Sequence, residues 1–349
     1  MTIANSFTDL ELNVEPIDAE IVSLSTELDT IDTTAAITAP AVTLKPGSAE
    51  HAALITGSKV AGIFGASKFS SPRKEFYLLR AEIDPDGETD AMVRGTMLEP
   101  SILNWFFHKF PQFDRVGGET TVLREGVSWG AANLDDIAID RETGERYNVE
   151  AKSDGRGDYQ WGREYSSDVP LGYWFQVQWG MWISGLRRTY IPVLGPFLEL
   201  KVFIVDYDEV EAEKMAAYLH TFYLNAKSDD AILPPVDGSE HTYDAIRTYH
   251  RDIEKDLVHR TDYALARRRF DSMTALAAAE AEVNLVKSLI LDEAGQAHKI
   301  IAPDGQPLGN RQKTKKGVAL YPPRAEVSVD ALDAHELDAM FAPDAIAAA

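Results

Sequence analysis

The residues best suited to chemistry in this sequence are Asp135, Glu150 and Lys152, with Glu99 upstream. Asp135 lies in Asn133-Leu134-Asp135-Asp136-Ile137, and the other two in Asn148-Val149-Glu150-Ala151-Lys152. Glu150 and Lys152 are two apart, which puts them on one face of a strand. Ala151 points the other way, into the core, while its backbone carbonyl stays available as an oxygen ligand. Carboxylates facing each other across a hairpin repel, and a hard divalent cation removes that penalty with oxygen ligands of this type. Two carboxylates and a lysine so placed suit metal-assisted hydrolysis of a phosphodiester, the arrangement that metal-dependent DNA nucleases use.

The elements that must position these residues are two strands and a turn. Leu134 to Asp140 is short, partly alternating and rich in β-formers, and Arg141-Glu142-Thr143-Gly144-Glu145 is a turn signal. Tyr147 to Lys152 resumes the strand pattern. Folding the runs together places position 135 or 136 opposite 150. Strict alternation groups Ile137 and Ile139 with Val149 and Tyr147 and sets Asp136 beside Glu150. A bulge or a bend near the strand start selects Asp135 instead. The pattern leaves both open.

The wider composition bounds the class. With 349 residues, 45% of them hydrophobic, the chain can bury one good core plus an accessory region. No apolar run approaches the roughly 18 residues of a membrane span, and no signal peptide is visible. Zero cysteines exclude disulfides and thiolate ligands and fit a reducing, cytoplasmic setting (the host cytoplasm for a phage-encoded chain). The net charge of −22 argues at first against a nucleic-acid partner. That acid is concentrated in residues 1–44 and 325–349, neither of which contains Lys or Arg, and the residues between carry only −8.

Four regions follow from the patterning. Residues 1–47 read as a disordered acidic segment. Residues 48–228 read as the compact core. Residues 229–324 read as a linker, Asp229 to Glu240, then a helical stretch from Tyr243 to Leu291 and a small β element around Pro303-Asp304-Gly305. Leu276, Val283, Val286 and Ile290 are spaced as on a long packed helix. Residues 325–349 form an acidic tail with Leu332, Leu337, Met340 and Phe341.

Three further segments of the core carry polar residues in apolar surroundings. Ile55-Thr56-Gly57-Ser58-Lys59-Val60 offers Thr56 or Ser58 as a helix N-cap, and a helix start with hydroxyls can also hold phosphate. Arg94-Gly95-Thr96-Met97-Leu98-Glu99-Pro100 puts Glu99 on an apolar helix, with a kink or restart expected at Pro100. Tyr173-Trp174-Phe175-Gln176 through Gly185 reads as an aromatic helix closed by Gly185, with Tyr173, Gln176 and Gly180 on one face. A glutamine among so many aromatics needs a specific hydrogen-bond partner.

Taken in order, these segments resemble the YqaJ/lambda-exonuclease family of viral recombination nucleases, within the restriction-endonuclease-like PD-(D/E)xK superfamily. The resemblance spans roughly residues 50–225 and rests on Ile-Thr-Gly-Ser-Lys-Val (55–60), Gly-Thr-Met-Leu-Glu-Pro (95–100), Asn-Leu-Asp-Asp-Ile (133–137), Val-Glu-Ala-Lys (149–152) and Gln-Val-Gln-Trp-Gly-Met-Trp-Ile-Ser-Gly (176–185). It implies an α/β fold with a central mixed β-sheet flanked by helices and a helical C-terminal extension. It implies two Mg²⁺ ions, Mn²⁺ substituting, on Glu99, Asp135, Glu150 and the Ala151 carbonyl. Lys152 then matches the catalytic lysine and Gln176 the glutamine behind it, and Asp135 is selected over Asp136. Ser58, with Thr56 beside it, matches a hydroxyl that holds a 5′-terminal phosphate. Two departures stand out. The family's Pro-Asp-Gly is Leu134-Asp135-Asp136 here, and the arginine expected just before the hydroxyl segment falls near His51.

The activity so implied is 5′ to 3′ hydrolysis of linear duplex DNA to leave 3′ single-stranded tails. A ring-shaped homo-oligomer and a single-strand annealing recombinase are the implied partners, and the acidic tail is a candidate docking peptide. A single-strand-specific or endonucleolytic member of the superfamily, or a non-catalytic DNA-binding protein, are the alternatives.

Overall fold

A computed structural model describes residues 48–117, 120–155, 161–315 and 317–323. The expected disordered termini and the tail's docking role lie outside those residues. The chain divides into two compact units, Met1–Ile253 and Glu254–Ala349.

The first unit opens with four helices: α1 (Ala49–Ala52), α2 (Gly57–Ile63), α3 (Pro72–Leu79) and α4 (Asp90–Lys109). Ser71 caps α3 by accepting from the Lys74 N–H, and Pro72 takes the first helical position, where no donor is needed. Thr89 caps α4 by accepting from Met92 N–H. Helix α4 then runs through Pro100 as one element, without the expected restart.

Six strands follow: β1 (Phe113–Arg115), β2 (Thr120–Val122), β3 (Ala132–Leu134), β4 (Asp136–Asp140), β5 (Arg146–Val149) and β6 (Lys152–Ser153). Then come α5 (Leu171–Ser184), β7 (Arg188–Leu194), β8 (Leu200–Asp206), α6 (Glu209–Lys227) and α7 (Glu240–Tyr249). Gly185 ends α5 with φ 76°, a left-handed conformation that glycine adopts without strain.

The main sheet is mixed, as expected. Strands β1, β4 and β5 are antiparallel, β5 and β6 both run parallel to β7, and β8 is antiparallel to β7. Strands β5 and β6 are two halves of one line. Asn148 and Val149 pair with Thr189 and Tyr190, then Lys152 and Ser153 pair with Val193 and Leu194. The interruption falls at Glu150-Ala151.

Helices cover both faces of the sheet. On one face Leu103 and Phe106 of α4 pack with Phe113, Ala138, Val149 and Tyr190. On the other, Ile137, Ile191 and Phe203 meet the apolar sides of α2, α3, α5 and α6. The observed register is Asp136↔Val149, Ile137↔Asn148, Ala138↔Tyr147 and Ile139↔Arg146. The expected grouping of Ile137 and Ile139 with Val149 and Tyr147 on one apolar face does not occur. A strand buried on both sides loses its alternation, and Asp136, Ile137 and Ala138 are all buried.

The expected end of the core at residue 228 falls short of the compact unit. Helix α7 packs on α3, with Tyr249 stacked on Tyr77 at 4.6 Å and Thr242 Oγ1 donating to Ser71 Oγ at 2.8 Å. The Pro-rich segment before α7 is a connection within the unit.

Among the described residues the second unit holds one helix, α8 (Tyr263–Glu293), and an antiparallel sheet of β9 (Lys299–Ile301), β10 (Pro307–Thr314) and β11 (Gly317–Tyr321), with β10 central. The small β element is where the sequence predicted it. The packing expected of α8 is absent among the described residues: none of its side chains is buried, and Leu276 is 60% exposed. Among the described residues no helix is long and apolar enough to cross a membrane.

Candidate active site

Asp135 is the single residue between β3 and β4. Strand β3 belongs to a two-stranded ladder with β2, and β4 to the main sheet, so the chain changes ladders through a bend at Asp135. A bend was one of the two devices able to choose Asp135 over Asp136. Asp135 Oδ2 accepts the backbone N–H of Ala151 at 2.8 Å. That N–H belongs to the strand interruption and is turned to the carboxylate. Asp136 points elsewhere: its Oδ2 accepts from Arg115 Nε at 2.5 Å, and its Oδ1 from the N–H groups of Gly117 and Ile137 at 3.0 and 2.8 Å.

Glu150 sits at the interruption, with its N–H donating to the Tyr190 carbonyl at 2.9 Å. Its side chain is buried, and Oε1 accepts from Lys152 Nζ at 2.8 Å and Gln176 Nε2 at 2.6 Å. The partner expected of Gln176 is thus Glu150. Lys152 Nζ also lies 5.2 Å from the centre of the Tyr173 ring, which stacks on Trp161 at 5.3 Å. Tyr173 and Gln176 reach Lys152 and Glu150 from the same face of α5.

The charges in this cluster act strongly on one another. Burial, then the neighbouring charge of Glu150, pushes the Asp135 carboxyl well above the usual range; Glu99 adds to the rise and Lys152 opposes it. Glu99, half-buried on α4, is therefore close enough to belong to the group. Burial pulls the Lys152 ammonium down, but the charges of Glu150 and Asp135 and the Glu150 hydrogen bond outweigh it. Lys152 stays above its ordinary range, a firmly held cation.

Thr56 and Ser58 stand beside this cluster. Thr56 is buried and Ser58 exposed, their hydroxyls 3.5 Å apart, and Thr56 begins α2 without a side-chain cap bond. Gly57 between them faces Gln176, where an added Cβ would lie 3.1 Å from Cγ. The hydroxyl turn and the carboxylate cluster thus meet at Gln176.

Sequence reasoning missed Lys59. Its Nζ donates to the carbonyls of His51, Ala52 and Leu54 at 3.2, 2.7 and 2.7 Å, which ties the loop before α2 into shape. Burial pulls its ammonium down to about 8, against the opposing charge of Glu75. A charged residue on the otherwise buried run Lys59-Val60-Ala61-Gly62-Ile63 was the available signal.

Among the described residues no group of three Asp, Glu, His or Cys side chains stands ready-placed around one ion position. The donor set itself suits a hard cation. It is made of oxygen alone, and the rise at Asp135 comes from burial and from the charges of the very carboxylates that an ion would offset.

Residues 48–187 match the family model described as the YqaJ-like viral recombinase domain. This region is a YqaJ-like viral recombinase domain. It contains Thr56, Ser58, Glu99, Asp135, Glu150, Ala151, Lys152 and Gln176 alike. The family match supports a nuclease of the lambda-exonuclease type. No curated protein shows significant similarity to the chain. Among solved structures, the chain is similar to an alkaline exonuclease (LHK-Exo) from Laribacter hongkongensis. In its complex with dAMP that protein shares 14% identity over 51% of this chain and 90% of its own, with a TM-score of 0.39. A phage-related exonuclease from Haemophilus somnus 129PT shares 10% identity over 49% of this chain and 93% of its own, with a TM-score of 0.34.

Proposed function

We propose that the chain is a metal-dependent DNA exonuclease that degrades linear duplex ends 5′ to 3′ and leaves 3′ single-stranded tails for recombination. The observation that carries this reading is the convergence at the strand interruption. Buried Glu150 is held between Lys152 and Gln176, with Asp135 locked to the neighbouring Ala151 N–H.

Glu99, Asp135, Glu150 and the Ala151 carbonyl would hold Mg²⁺, with Mn²⁺ substituting. When bound, the ions supply Lewis-acid stabilisation of the phosphoryl group and acidify the attacking water. Lys152, kept cationic by its two acidic neighbours, orients that water and offsets the charge of the phosphorane. Gln176 fixes the Glu150 carboxylate, and Ser58, exposed beside Gln176, would hold a 5′-phosphate, with Thr56 behind it.

End-labelled linear duplex, with and without a 5′-phosphate, tests the reading in Mg²⁺ and then in EDTA. Cleavage from the 5′ end in Mg²⁺ alone is expected. Equal cleavage of covalently closed circles points to an endonuclease instead. Lys152→Ala should keep fold and DNA binding but lose roughly 10²–10⁴-fold in rate; an unchanged rate in the purified variant rules the role out. A homo-oligomer and an annealing recombinase partner belong to the same proposal, and a monomeric mass by light scattering at micromolar concentration counts against the oligomer.

A further inference from the structure

We infer that Arg115, bridging Asp136 and Asn104, is a positioning brace that fixes the Asp135 bend against the helix bearing Glu99. The inference rests on the metal-dependent reading above and assigns that site residues outside its ligand set.

Asp136 occupies the position where the family's motif has glycine. Its side chain is fully buried and faces α4, on the side of the sheet shared by Ala138 and Val149. Every contact of its carboxylate is an ordering one. Two backbone N–H groups hold Oδ1, and the Arg115 Nε holds Oδ2. The same guanidinium reaches α4 twice. Its Nη1 donates to Asn104 Oδ1 at 2.6 Å, and its carbon lies 5.4 Å from the centre of the Phe107 ring.

One planar group therefore clamps two elements. The strand end carries Asp135 one residue before Asp136, and the helix carries Glu99 five residues before Asn104. Arginine is suited to this because its donors diverge from a rigid plane, so that fixing one end fixes the other. The guanidinium also offsets the buried charge of Asp136. Outer partners of this kind orient ligand side chains and are worth roughly 10–100-fold in metal affinity.

The test is calorimetric titration of Mn²⁺ into the full chain, with melting curves for each variant. Wild type and Glu150→Ala come first: no binding by wild type, or equal binding by Glu150→Ala, overturns the metal reading and the brace with it. With binding established, Arg115→Met/Asp136→Asn removes the buried Asp136 charge together with its partner's and should melt near wild type while binding Mn²⁺ roughly 10–100-fold more weakly. Asn104→Ala leaves Asp136 paired and exchanges an exposed side chain, so it tests the helix end of the brace even where the double variant fails to fold. It should weaken Mn²⁺ binding in the same direction with an unchanged melting temperature. Unaltered Mn²⁺ affinity in folded Asn104→Ala, or in the folded double variant, overturns the brace and leaves the metal reading standing.

Discussion

The first unit and the second use apolar residues in opposite ways. In the first, helices lie on both faces of a mixed sheet, and Phe106, Phe175, Trp179 and Phe203 lose all or nearly all contact with solvent. In the second, α8 spans 31 residues, and Phe270, Leu276, Leu285 and Leu289 remain more than half exposed. Both regions carry helical apolar spacing. That spacing establishes that a helix forms, because it satisfies its own backbone. It does not establish a packing partner, which depends on what else the chain folds against it.

The contrast can be broken at its strong end first. Phe106→Ala empties a site where four other aromatic rings converge. It should cost about 3–5 kcal/mol in urea unfolding. A cost below about 1 kcal/mol means the α4 face of the sheet is not a packed core.

Lys59 tests the hydroxyl-bearing edge of the same unit. Its amine falls from 10.5 when unfolded to about 8 in the folded chain. Between those values the unfolded chain holds a proton that the folded chain lacks, so stability rises with pH through that window, and below about pH 8 the cost of burying the charge stands in full. Wild type should gain about 1–2 kcal/mol between pH 7.5 and 9.5 relative to Lys59→Met. The comparison with the variant is needed because Glu75, Lys227 and His51 titrate nearby. Parallel pH profiles for the two proteins contradict the assignment.

The smallest effect belongs to α8. Leu276→Ala in the full chain should change stability by less than about 0.5 kcal/mol, since none of the described residues buries it. A loss above about 2 kcal/mol shows that a partner covers this face in solution.

Much of the first unit was legible because its signals are local. The glycine that ends α5 and the turn before β5 each follow from a few neighbouring residues, as does the small β element of the second unit. The choice between Asp135 and Asp136 was not local. It depends on a change of ladder at a single residue and on helices covering both faces, which erases the alternation that sequence reading relies on. The partner of Gln176 was foreseeable as a need but not as Glu150. Lys59 and Arg115 escaped notice because their partners are backbone carbonyls and a carboxylate 21 residues away. The extent of the first unit was misjudged because Leu233-Pro234-Pro235 looks like a boundary. The stacking of Tyr249 on Tyr77 and the hydrogen bond from Thr242 to Ser71 show that the chain returns.

The hydrogen bond from Ala151 N–H to Asp135 has a spectroscopic consequence. The carboxylate that accepts from this amide, in place of a ladder carbonyl, becomes a weaker acceptor when it is protonated or shared with a cation. The Ala151 ¹⁵N–¹H resonance is thus a built-in reporter of the site's charge state. Its shift can be followed against pH or Mg²⁺ with no label beyond isotope and no substrate present.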